Sequence, residues 1–154
     1  MPQVYPPSSP LQNEKFAAAA LAADELARAE LRLLAAIAPL GRWGLSLARR
    51  AGVTADDIAA DDLSIIWGAL EQAHAAEGVG PDVRNEAALR AAAHLLRAAG
   101  LWDSGDGRHA GAGMVWGPRR LVRLFVGDGS LLGAEAEIPQ LAAALLALEG
   151  RVAA

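Results

Sequence analysis

The residues with the most chemical potential are Glu71 and His74, in the run Glu71-Gln72-Ala73-His74. Their i, i+3 spacing sets a carboxylate beside an imidazole on one face of a helix. Di-iron bundles use such a pair, but they use it twice and add two glutamates from other helices. This chain has no second copy, and His94 and His109 are distant in sequence. The pair is therefore expected to be a solvated helix edge, with no metal bound.

Residues 103–113, DSGDGRHAGAG, are the next candidate. A phosphate-cradling loop needs glycines together with Gly-Lys-Ser/Thr, and that triplet is absent. Gly111, Gly113 and Gly117 are not in dinucleotide-binding spacing. Asp103 and Asp106 begin like a calcium loop, but no terminal glutamate completes the ligand series. A surface loop is the expectation. No Gly-x-Ser-x-Gly occurs, and Asp56, Asp57, Asp61 and Asp62 read as helix starts rather than as an acid–base pair. Neither catalysis nor a cofactor is expected.

The basic residues fall in two sets. Arg49 and Arg50 end a short amphipathic segment, 43–51, that opens with Trp43. Arg119, Arg120 and Arg123 lie on or beside a stretch that reads as a β-hairpin. A helix followed by a hairpin is the order of a winged helix, whose wing often carries arginines to phosphate. The net charge of −4 and a pI near 5.3 weigh against that and favour a solvated strand face.

Composition limits the frame that must position these residues. A chain of 154 residues can bury roughly 70% of its unfolded surface. Hydrophobic residues make up 53%, but many are alanine, which favours helix and close helix approach while adding little burial energy. The four tryptophans, Trp43, Trp67, Trp102 and Trp116, are expected to anchor the packing. With no cysteine there is no disulfide framework. No signal-peptide pattern and no stretch long enough to span a membrane is apparent, so a cytoplasmic chain without membrane contact is expected.

Residues 1–8 read as a flexible tail and 9–154 as one helical domain, with a helical core over 9–101. Ser9, Pro10 and Gln12 signal a helix that Pro39 must end. Gly41 and Gly52 bracket segment 43–51. Thr54 and Asp57 form a capping box, and Val53 can staple onto Ile58. The central helix runs over 61–78, with Asp61 as cap and Leu63, Ile66, Trp67, Leu70 and Ala73 on one face. A further helix from Asp82 ends at Gly100, with Leu101 folding back on Leu96. Residues 114–116, 120–126 and 131–138 read as strands, and Pro139 as the start of a last helix. The expected fold is mostly α, a compact multi-helix bundle with a small β-hairpin near the C-terminus.

Residues 29–101 resemble the N-terminal, non-ATPase domain of DnaB-type replicative DNA helicases. Ala29-Glu30-Leu31-Arg32-Leu33-Leu34 is similar to the opening helix of that family. Val53-Thr54-Ala55-Asp56-Asp57-Ile58 is similar to its second element, with Ile58 where an aromatic is usual. Asp61 through Ile66-Trp67-Gly68-Ala69-Leu70 is similar to the third, and Gly78 falls at the family's glycine. The resemblance implies a helical interaction domain that self-associates and contacts primase or loader proteins without hydrolysing ATP. The expected function is thus a non-enzymatic protein–protein interaction module tied to DNA replication. Trp43 and Trp67 are its candidate anchors, and Arg49 and Arg50 its candidate rim contacts. The alternative is a winged-helix-like nucleic-acid binder using Arg119, Arg120 and Arg123.

Overall fold

The computed structural model describes residues 10–75, 80–103, 115–127 and 131–153. Within them the chain forms six α-helices: α1 (Pro10–Ile37), α2 (Arg42–Arg50), α3 (Asp61–His74), α4 (Pro81–Ala98), α5 (Pro118–Val126) and α6 (Leu131–Ala153). Two 3-10 turns, Ala38–Leu40 and Ala55–Asp57, join α1 to α2 and α2 to α3. Helix α1 lies along α6, and α3 lies along α4. Helix α2 rests on α6 and closes one end.

Helix α1 passes Asp24 without a break, and Asp24 pairs with Arg28 one turn on, at 3.0 Å, on its exposed face. It ends where Pro39 requires. The Thr54 amide donates to Asp57 Oδ2 at 2.8 Å, and Val53 and Ile58 are both buried beside this turn. At the end of α4, Leu101 N–H donates to the Leu96 carbonyl (2.8 Å) and Gly100 N–H to that of Arg97 (3.1 Å), the bond pattern of a Schellman ending. Ser9 and Gly78 lie outside the described residues.

Helix α3 buries Leu63, Ile66, Trp67, Ala69 and Leu70. Asp61 does not cap it. Ala60 holds the cap position with no side-chain bond, and Asp61 is the first helical residue. The carboxylate that meets this helix start comes from α1 instead. Glu30, almost fully buried, accepts from the Ala59 amide at 2.6 Å and from the Ala60 amide at 3.1 Å. A negative charge here also suits the positive end of the α3 dipole. A second tie reaches α3 from the far side: Trp116 Nε1–H donates to Asp62 Oδ2 at 2.7 Å.

The expected hairpin is not formed. Residues 120–126 belong to helix α5, and 131–138 to helix α6. In α5 the buried residues are Leu121, Leu124 and Phe125, at i, i+3 and i+4, while Val122, Arg123 and Val126 face out. That is the helical period, which a short apolar run can hide. Gly117-Pro118 supplies a helix start, with proline at the first position. Residues 131–138 are rich in Leu, Ala and Glu, all strong helix formers, so their alternation carries no strand. Pro139 sits inside α6 rather than at its start. It and Glu135 are both exposed, so the carbonyl that proline leaves unbonded is open to water. Among the described residues the β element reduces to one parallel bridge, Trp102 with Trp116. Trp116 N–H donates to the Leu101 carbonyl at 3.0 Å, and Asp103 N–H to the Trp116 carbonyl at 2.7 Å.

The tryptophans divide into two pairs. Trp67 and Trp116 are buried core residues. Trp102 is half-buried under the Arg97 guanidinium, 5.0 Å from its ring centre, and Trp43 is exposed.

Two stability predictions follow from the carboxylates. Glu30→Ala leaves two amides without their acceptor and is expected to cost about 3 kcal/mol in chemical denaturation, since each charge-assisted bond contributes roughly 1.5–3 kcal/mol. Glu149 has a buried, unbonded Oε1. Burial first, then the charges of Asp57 and Glu30 and a hydrogen bond with Asp57, push its pKa up. A raised carboxyl pKa gives stability at low pH that is lost as pH rises through the folded value. Glu149→Gln is therefore expected to melt at a higher temperature than the parent at pH 7, with the gap closing toward pH 4.

Candidate functional site: an arginine-lined cleft between α2 and α4

The segment that leaves α1 must turn sharply to start α2, and Gly41 makes the turn at φ +58. Other residues are strained there, and space adds a second restriction. A Cβ on Gly41 would stand 2.6 Å from His74 Cε1 and 3.1 Å from Asn85 Oδ1. Gly44 then lets α2 press on the end of α1, since a Cβ there would lie 2.5 Å from the Ile37 carbonyl oxygen. This close crossing points the polar side of α2 toward the end of α3 and the start of α4.

A cleft of about 870 Å³ opens between them. Arg42, Trp43, Ser46 and Arg49 come from α2, and Glu71 and His74 from α3. Arg84 and Asn85 come from α4, and Asp82 stands at the same end of that helix. The volume is in the range of ligand-binding clefts. Residues 76–79, which join α3 to α4, lie outside the described residues.

His74 is not the solvated edge expected of it. It is only 3% exposed. Its Nε2 is 2.8 Å from Asn85 Oδ1. Oδ1 can only accept, so Nε2 carries the proton and Nδ1 is left with a lone pair. That Nδ1 is buried and has no partner, and the same is true of Arg84 Nε. Burial lowers the His74 pKa, the Asn85 bond partly opposes this, and the positive charges of Arg84 and Arg42 lower it further. The imidazole is neutral at pH 7. Glu71 is occupied elsewhere: its Oε1 accepts from Trp67 Nε1–H at 2.9 Å. The two residues of the expected edge pair thus serve different partners.

Of the candidate anchors, Trp43 lies in the cleft wall and is 42% exposed, with the Arg50 guanidinium 5.2 Å from its ring centre. Trp67 is corrected: at 1% exposed it is a core residue and offers no surface for docking. Arg49 lines the cleft, and Arg50 lies beside it on Trp43. Arg119, Arg120 and Arg123 sit together on the exposed side of α5, away from the cleft lining, and not on a wing. Arg120 donates to the Val115 carbonyl at 2.9 Å. Sequence reasoning missed Arg42, Arg84 and Asn85. Only the turn at Gly41 brings Arg42 opposite the other two, and the spacing carries no sign of it. Among the described residues no group of three or more histidines and carboxylates is placed to hold a metal ion. No described helix is long and apolar enough to cross a membrane.

The neutral, buried His74 predicts a pH effect. The unfolded chain takes up a proton near pH 6.5, whereas the folded chain does so only at lower pH. Stability from this site is full above that pH and falls as pH drops below it. His74→Gln is expected to flatten the pH dependence of the denaturation midpoint between pH 7 and pH 5, measured in urea.

The chain matches no family model, no curated protein and no solved structure at a significant level.

Proposed function

We propose that this protein is a non-enzymatic interaction module that docks an acidic segment of a partner protein in the α2–α4 cleft. The observation that carries this reading is the local charge. The chain has a net charge of −4, yet on one concave surface Arg42, Arg49 and Arg84 outnumber the carboxylates Glu71 and Asp82, and Arg50 adds a further positive charge at its rim. A concave surface of sign opposite to the rest of the molecule attracts and orients an oppositely charged partner. Trp43 supplies what arginines lack, an exposed aromatic face already held by Arg50. Tryptophan and arginine are the residue types that contribute most at interfaces. The neutral His74 adds no charge of its own, so the anion is selected by the arginines.

The resemblance of residues 29–101 to the DnaB-type helicase domain directs the search for the partner to replication proteins first, and to a second copy of this chain. Affinity capture with the tagged protein, read by mass spectrometry, tests the reading when run beside Arg42→Ala and Arg49→Ala. Both positions are exposed, so the variants are expected to melt with the parent. Each is expected to weaken the recovered interaction about fivefold to tenfold, or roughly 1–1.4 kcal/mol. Equal recovery by parent and variants would move the interface away from this cleft.

A further inference from the structure

Among the described residues the two most exposed large apolar side chains are Leu21 on α1 and Val126 on α5, each 64% exposed. Both belong to short ridges on helix faces. On α5, Val122 and Val126 are exposed and one helical turn apart, and Arg119 and Arg123 each stand three residues before a valine. Arg120 is exposed beside them, and the helix holds no carboxylate. On α1, Ala17 and Leu21 are exposed and likewise one turn apart. Glu14 stands three residues before Ala17, and Asp24 and Glu25 follow Leu21 by three and four, all three exposed. One apolar ridge is thus edged by arginines and the other by carboxylates, with similar spacing.

Within one copy the two faces are apart. A Cβ on Gly127, just after α5, would lie 3.0 Å from Pro39 Cγ, so α5 sits at the turn that ends α1. Leu21 lies roughly 24 Å back along α1 from Ile37, at about 1.5 Å per residue.

We propose that α5 of one copy docks on the first half of α1 of a second copy, with Val122 and Val126 on Ala17 and Leu21, and with Arg119 and Arg123 facing Glu14 and Glu25. Asp24 is already paired with Arg28 at 3.0 Å, so Glu14 and Glu25 carry the attraction. The small Ala17 lets the valine ridge come close, as packing of one helix ridge beside another requires. The occupant is a second copy because this chain itself carries a face of matching apolar width and opposite charge. A nucleic acid would answer the arginines and leave both valines in water. Two different faces give a head-to-tail contact, which repeats from copy to copy beyond a dimer. One short helix on another falls short of the roughly 1,200–2,000 Å² that a stable interface buries. The contact is therefore weak, with a dissociation constant of about 100 μM, and it weakens further as salt rises. Both faces lie outside the α2–α4 cleft and outside residues 29–101, so this contact stands apart from the docking reading above.

Sedimentation velocity of the full chain, from about 10 μM to about 1 mM, reads the association. The parent is expected to gain mass with concentration at about 50 mM salt and to stay a monomer at about 500 mM. Val126→Glu spoils the α5 face, and Leu21→Gln spoils the α1 face. Both positions are exposed, so both variants are expected to melt with the parent. Each alone is expected to associate at least tenfold more weakly than the parent. An equimolar mixture of the two is expected to form a dimer and nothing larger, because one variant keeps the α1 face and the other the α5 face. A parent that stays monomeric at about 1 mM in low salt overturns the proposal. So do variants that associate as the parent does, or a mixture in which no dimer forms.

Discussion

The buried carboxylate of Glu30 is the constraint around which the helices are set. It is a charge placed inside an alanine-rich core, and it is tolerable there because two backbone amides ahead of α3 converge on it. Those amides would otherwise be unpaired at a helix start. The exchange fixes the height of α3 against α1, and much else takes its position from α3. Trp116 reaches Asp62 in its first turn, α4 lies along its length, and His74 at its far end forms the cleft floor. Moving α3 by one turn against α1 would break the Glu30 bonds and shift the cleft floor out of line with α2.

The placement of most helices was legible in the sequence because each had its own start and stop chemistry. Thr54 with Asp57 and Gly100 with Leu101 are local signals, and local signals survive folding; the start of α4 is instead set by Gly80 and Pro81, not by Asp82. The C-terminal third failed for a physical reason. Seven residues with Leu, Val and Phe satisfy both periods closely, and only tertiary packing of Leu121, Leu124 and Phe125 decides between them. Glu30 could not have been read as a cap, since its partners lie about thirty positions away.

The candidate site was legible in fragments. Trp43, Arg49 and Arg50 stand out on a short amphipathic helix; Trp43 and Arg49 line one wall, and Arg50 lies beside it on Trp43. The opposite wall carries no pattern: Arg84 and Asn85 sit in the first turns of an ordinary alanine-rich helix. His74 misled because its spacing from Glu71 describes a shared helix face, while burial depends on what packs against that face. Of the residues quoted for the helicase resemblance, Glu30, Leu33, Leu34, Val53, Ile58, Ile66 and Trp67 are buried, whereas Arg32, Thr54, Asp56, Asp61 and Gly68 are exposed.

The contact between Gly41, His74 and Asn85 has a consequence for how this chain can change over generations. A side chain at position 41 would occupy the space of the imidazole, and a smaller residue at 74 would strip Asn85 of its partner. Three positions scattered over more than forty residues of sequence thus behave as a single heritable unit. A lineage that loses glycine at 41 must also rebuild 74 and 85, so the three are expected to vary together or not at all.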